Sequence, residues 1–190
     1  MVKVAILHEG SSKKTSDNKL LKLLIEELSL GVNDIQFIGM GGKSNFFKKD
    51  NVNYKQLKLN INSEYISKIL FIIDADYETN DTIYGGYENA EKKLKEMIKE
   101  LELEEYSDFY ITCDPNTKDG YLESLILSTI PKNERICIDN FLNCSKFKSK
   151  DNAKSIINQI YNLGYPNAPY NFSHENFDEL KEKLKKLFIK

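Results

Sequence analysis

The chain has 190 residues, long enough to bury one substantial core without disulfides or structural metals, so a single domain spanning residues 1–190 is expected. Its 27 Lys and Arg stand against 29 Asp and Glu, and the net charge of -2 supplies no global attraction to a phosphate backbone; any nucleic-acid surface must be local. With 41% hydrophobic and 29% charged residues the composition is that of a globular protein, and no apolar run approaches the roughly 18–20 residues of a membrane span.

Val2 to Leu7 is a short β-rich run ending at His8-Glu9-Gly10. It lacks the length and flanks of a signal peptide, and a cytoplasmic location is expected. After the polar stretch Ser11 to Ser16, with Ser16 or Asp17 as N-cap, Leu20, Leu21, Leu24, Ile25 and Leu28 recur at helical spacing, and Gly31 supplies the stop. Ile35 to Met40 reads as a second strand closed by Gly41-Gly42. The Asn-rich stretch from Lys43 to Asn62 reads as an irregular loop with at most a short helix. Ile69 to Ile73 is continuously apolar, as a strand buried on both faces of a parallel sheet must be, and it runs straight into Asp74-Ala75-Asp76.

Beyond Gly85-Gly86, Tyr87 to Glu104 is helical, with Leu94, Met97, Ile98 and Leu101 as its apolar stripe. Phe109 to Ile111 is a fourth strand, Cys113 to Asp119 a turn, and Tyr121 to Ile130 a helix stopped by Pro131. Ile136 to Ile138 is read as a last edge strand. Helices over Lys150 to Leu163 and Asn176 to Phe188 complete the chain, separated by a turn around Gly164-Tyr165-Pro166. Alternating strands and helices imply an α/β fold with a central parallel sheet of about four strands, a core over 1–131 and a C-terminal helical extension over 145–190 packed on it. Cys113, Cys137 and Cys144 form no Cys-x-x-Cys pair, and they are expected to be small buried or half-buried thiols without chemistry.

In an open parallel sheet the helices cover both faces and leave the carboxyl ends of the strands accessible, so ligand groups gather there. Glu9 follows the first strand, and Asp74 and Asp76 follow the central one; the three carboxylates converge if those strands are neighbours. Their mutual repulsion and desolvation would be relieved by a hard cation with oxygen ligands, Mg²⁺ or Mn²⁺. Lys43 follows two glycines whose amides can approach an oxyanion, and its ammonium is a candidate partner for a phosphate. Lys13 and Lys14 offer a small positive rim.

Ile6-Leu7-His8-Glu9-Gly10, then Gly41-Gly42-Lys43, then Ile72-Ile73-Asp74-Ala75-Asp76 resembles the Toprim domain in order and spacing. More closely, the chain resembles a group of small bacterial and archaeal Toprim-like proteins whose features extend to a helix like Gly120 to Leu127. The resemblance covers most of the chain, although its specific parts are the Glu-Gly and the Asp-x-Asp. It implies a Toprim-like, Rossmann-like fold and metal-dependent phosphodiester chemistry on DNA or RNA. Asp74 and Asp76 are then metal ligands, and Glu9 a further ligand or the general base. In the overcoming-lysogenization-defect nucleases, the nearest chemical analogy, a Leu-Glu pair on a later element contributes to the metal site, which implies the same for Glu123. The expected substrate-binding set is Gly10, Lys13, Gly41, Gly42 and Lys43, with Lys43 also assigned to catalysis.

Competing readings fit less well. A phosphate loop of an ATPase needs Gly where Phe37 stands. Haloacid-dehalogenase-like phosphatases place their Asp-x-Asp after the opening strand, whereas Asp74 is mid-chain. A topoisomerase or primase needs additional domains. A small nuclease or a subunit of a larger nucleic-acid system, for instance beside a partner ATPase, remains. The alternative is a Toprim-derived binding or regulatory module that keeps metal affinity without turnover.

Overall fold

The computed structural model describes residues 3–11, 15–79, 81, 83–145, 150–165 and 170–189, those of 150–153 by their backbone alone. Four strands, β1 (Lys3–His8), β2 (Ile35–Gly39), β3 (Ile66–Asp74) and β4 (Ser107–Thr112), form one all-parallel sheet in the order β2-β1-β3-β4. The helices are α1 (Ser16–Glu27), α2 (Lys43–Phe46), α3 (Val52–Asn62), α4 (Tyr87–Glu100), α5 (Leu122–Leu127), α6 (Lys132–Cys144), α7 (Lys150–Gly164) and α8 (Asp178–Phe188). This is a doubly wound, Rossmann-like α/β architecture.

Side chains alternate across each strand, and both faces are apolar, so the sheet must be covered twice. Val4, Ile6, Leu70, Ile72 and Tyr110 face a core built with Leu20, Leu21, Leu24 and Ile25 of α1, Leu125 and Ile126 of α5, Ile157 and Tyr161 of α7, and Leu180, Leu184 and Leu187 of α8. Ala5, Leu7, Ile69, Phe71, Ile73 and Ile111 face the other core, filled by Phe46 of α2, Tyr54, Leu57 and Ile61 of α3, and Ala90, Leu94, Met97 and Ile98 of α4. The C-terminal helices therefore share the sheet's own core.

Three readings are corrected. Lys43 to Asn62 holds two helices, α2 and α3, because Tyr54, Leu57 and Ile61 supply a helical stripe and Asn51 caps α3 by accepting from the Asn53 amide at 2.9 Å; the Asn content concealed the period. Ile136 to Ile138 belongs to α6 and not to an edge strand: only Ile138 of that helix is buried, and no strand neighbour is offered to it. Cys113 is buried, with burial pushing its thiol up to about 11, but Cys137 and Cys144 lie exposed on α6. Among the described residues no helix is long and apolar enough to cross a membrane.

In this strand order the chain leaves β1 toward β2 on one side and returns to β3 on the other. The β1/β3 boundary is thus the topological switch point, where the connections diverge and open a crevice at the carboxyl ends. β3 runs two residues past the pairing of His8 with Ile72, which carries Asp74 beyond the end of β1.

Candidate functional site

A cavity of about 550 Å³ opens at that switch point, lined by Glu9, Gly10, Asp17, Gly41, Gly42, Asp74, Glu123 and Lys154 among others. The loops around it are zipped together by backbone bonds. The Gly42 amide donates to the Glu9 carbonyl at 2.7 Å and the Gly41 amide to the Gly10 carbonyl at 3.3 Å. Gly10 is sterically required, since a Cβ there would stand 2.6 Å from Thr15 Oγ1. Gly10, Gly41 and Gly42 line the cavity as expected, but those two amides hold the β1 loop and are not turned to an anion.

Glu9 and Asp74 meet here. The Asp74 amide donates to Glu9 Oε2 at 3.4 Å. Burial pushes the Glu9 carboxyl above its ordinary range, with Lys43 partly offsetting it and Asp76 adding to it. Asp74 is raised well above the ordinary carboxylate value, first by burial and then by the charges of Asp17 and Glu9, with Lys154 opposing. Asp17 is raised by burial and by Glu123, again against Lys154. Carboxylates thus outnumber the cations that reach them.

Glu123 enters from the first turn of α5 and is only 3% exposed. Its Oε1 accepts from Asn158 Nδ2 at 2.8 Å, while its Oε2 is buried without a hydrogen bond. The Lys154 ammonium lies 3.9 Å from that atom and 3.9 Å from Asp74 Oδ2, and 4.0 Å from the centre of the Tyr121 ring.

Asp76 and Lys43 come together too, but beside the cavity and not on its wall. Lys43 is 7% exposed; its ammonium donates to Asp76 Oδ2 at 3.1 Å and to the Ala75 carbonyl at 3.1 Å. The loop lysine expected to face a phosphate instead clamps the loop after β2 to the loop after β3. Asp76 adopts φ 58, and its amide and carbonyl pair with the Gly120 carbonyl and amide at 2.6 and 3.2 Å. That bridge sets the start of α5, hence Glu123. Gly120 itself has φ 93, and a Cβ there would meet Ser124 Oγ at 2.1 Å. Lys13 and Lys14 lie outside the described residues.

Asp17 and Lys154 are additional members. The α1 cap is Thr15, whose Oγ1 accepts from the Asn18 amide at 3.5 Å, so Asp17 is released from the capping role assumed for it and lines the cavity. Its place in the first helical turn, after a loop leaving a strand end, was the available signal. Lys154 carried none, because only the return of α7 over the sheet brings it near. Below the site, His8 is buried, with Nε2 3.4 Å from Asn18 Nδ2, and burial lowers its pKa.

Among the described residues no three His, Cys, Asp or Glu form a ready-made metal cage. Compared with protein families, with curated proteins and with solved structures, the chain finds no match. The site must therefore be read from its own chemistry.

Proposed function

We propose that this cavity takes a divalent cation, Mg²⁺ or Mn²⁺, and serves Toprim-type hydrolysis of phosphodiester bonds in nucleic acid. The observation that carries the reading is the meeting of Glu9 and Asp74, 65 positions apart, in one switch-point cavity with raised proton affinity at both. Buried like charges are costly, and a fold retains them where a ligand offsets the cost.

The donor set fits a hard cation: the facing groups are carboxylate oxygens, and Glu123 Oε2 is buried without a hydrogen bond. Glu9, Asp74 and Glu123 would hold it, with Asp17 at the rim and Asp76 set behind by Lys43. When bound, the ion supplies charge neutralisation at a phosphoryl oxygen and acidifies a coordinated water. Glu9, whose burial raises its proton affinity above that of an ordinary carboxylate, lines the cavity where it can accept a proton from water. Lys43 orders the loops, and Gly10, Gly41 and Gly42 keep the cavity floor free of side chains.

The second reading is a binding module without turnover; the absence of a preformed cage among the described residues and the net charge of -2 favour it. Calorimetric titration with Mg²⁺ and Mn²⁺, beside cleavage assays on single- and double-stranded DNA and RNA, separates the two. Saturable binding and cleavage, both lost in Asp74→Ala and Glu9→Ala, are expected. Metal binding with no cleavage of any substrate selects the module, and no metal binding sinks both.

A further inference from the structure

The two lysines near the acidic residues are held in opposite ways. Lys43 is buried and makes two 3.1 Å hydrogen bonds, a fixed part of the scaffold. Lys154 has a side chain 28% exposed and stands 3.9 Å from one oxygen of Asp74 and 3.9 Å from one oxygen of Glu123, longer than a hydrogen bond to either. Its attraction is charge without directed bonding. A point-like ammonium on a flexible stem at such distances is replaceable by another cation.

The location is equally specific. Lys154 lies between a carboxylate from the end of β3 and one from the start of α5, beside a Glu123 oxygen buried without a hydrogen bond. The helix that bears it does not depend on it. Ile157 and Tyr161 of α7 are 4% and 3% exposed in the core, and Asn158 separately bonds Glu123 Oε1 at 2.8 Å. The ammonium can leave while the helix stays.

We propose that Lys154 is the exchangeable counter-cation of the cavity: its ammonium neutralises Asp74 and Glu123 until a divalent cation takes over that charge and displaces it toward the open side. This rests on the cation reading above and adds a regulation of the same site, since a residue from the C-terminal helices then sets the metal concentration at which the cavity fills. The displaced ammonium stays tethered at the mouth.

The test is Mn²⁺ titration of the full-length, chelator-treated protein by calorimetry and by the paramagnetic resonance signal of free Mn²⁺, for wild type, Lys154→Met and Lys154→Arg. Met keeps an unbranched side chain of similar length without the charge, and Arg keeps the charge. Lys154→Met is expected to bind Mn²⁺ about five-fold tighter or more, the factor by which giving up one attraction between unit charges near 4 Å weakens binding in the wild type even under bulk-water screening. Lys154→Arg is expected to stay within about two-fold of wild type, because its charge remains. Unchanged or weaker binding by Lys154→Met, or equal tightening by both variants, overturns the counter-cation assignment while leaving the metal site standing. No Mn²⁺ binding by any of the three overturns the cation reading and this inference together.

Discussion

Replacing Lys43 with Met tests the claim that this lysine builds the site and does not serve substrate. Its ammonium and the Asp76 carboxylate have side chains 7% and 10% exposed, separated by 3.1 Å, and the same ammonium bonds the Ala75 carbonyl. Removing one member of a buried pair leaves the other charge in a poorly solvated place, which costs about 3–5 kcal/mol. That is a large part of the roughly 5–15 kcal/mol available to a domain, and it lowers Tm by about 6–20 °C in a chain of this length. The double variant Lys43→Met/Asp76→Asn removes the stranded charge, and Asn tolerates the φ of 58 at that position, so it is expected to regain most of the loss. Urea and thermal unfolding followed by circular dichroism measure both. A loss under about 1 kcal/mol for the single variant, or a double variant no more stable than the single one, would refute the clamp.

Three further expectations follow from the same geometry. Asp74→Asn keeps the backbone amide that Glu9 accepts from but removes a charge repelled by Asp17 and Glu9, so it should stabilise the chelator-treated protein by about 1–2 kcal/mol, or about 2–8 °C, while abolishing Mn²⁺ binding. Destabilisation together with retained binding would contradict the role given to Asp74. The pH dependence has a defined sign: Glu9, Asp17 and Asp74 hold their protons more tightly in the folded protein than unfolded, so folding favours the protonated forms. Their contribution to stability is therefore most favourable at or below the ordinary carboxylate range and is lost as pH rises through the raised folded values. The Tm advantage of Asp74→Asn over wild type should accordingly widen with rising pH, and Mn²⁺ affinity of the wild type should climb over the same window as protons cease to compete. A pH-independent difference would show that those carboxyls are not perturbed. Gly120→Ala places a Cβ 2.1 Å from Ser124 Oγ at φ 93, and a loss of about 1–3 kcal/mol with weakened Mn²⁺ binding through a displaced Glu123 is the expected result, read by unfolding and calorimetry.

What the sequence determined by itself was local. The apolar runs of β1 and β3 demanded burial on both faces, and with intervening helical stripes that demand is met by a parallel sheet; Glu9 and Asp74 then had to stand at its carboxyl edge. The α3 helix was obscured because Asn and Lys diluted its stripe, and Ile136 to Ile138 misled because three β-branched or small apolar residues carry no period of their own. Tertiary structure alone decided the composition of the cavity. Lys43 left the site because a buried ammonium seeks the nearest buried carboxylate, and Asp76 was that partner. Asp17 joined because Thr15 took the helix cap, and Lys154 joined because the cores of α7 and α8 fold the C-terminal helices back over the sheet. Hydrophobic periodicity is written in neighbouring residues and can be read from them, whereas the pairing of charges depends on which distant loops share a low-dielectric space, and that is settled only when the chain closes.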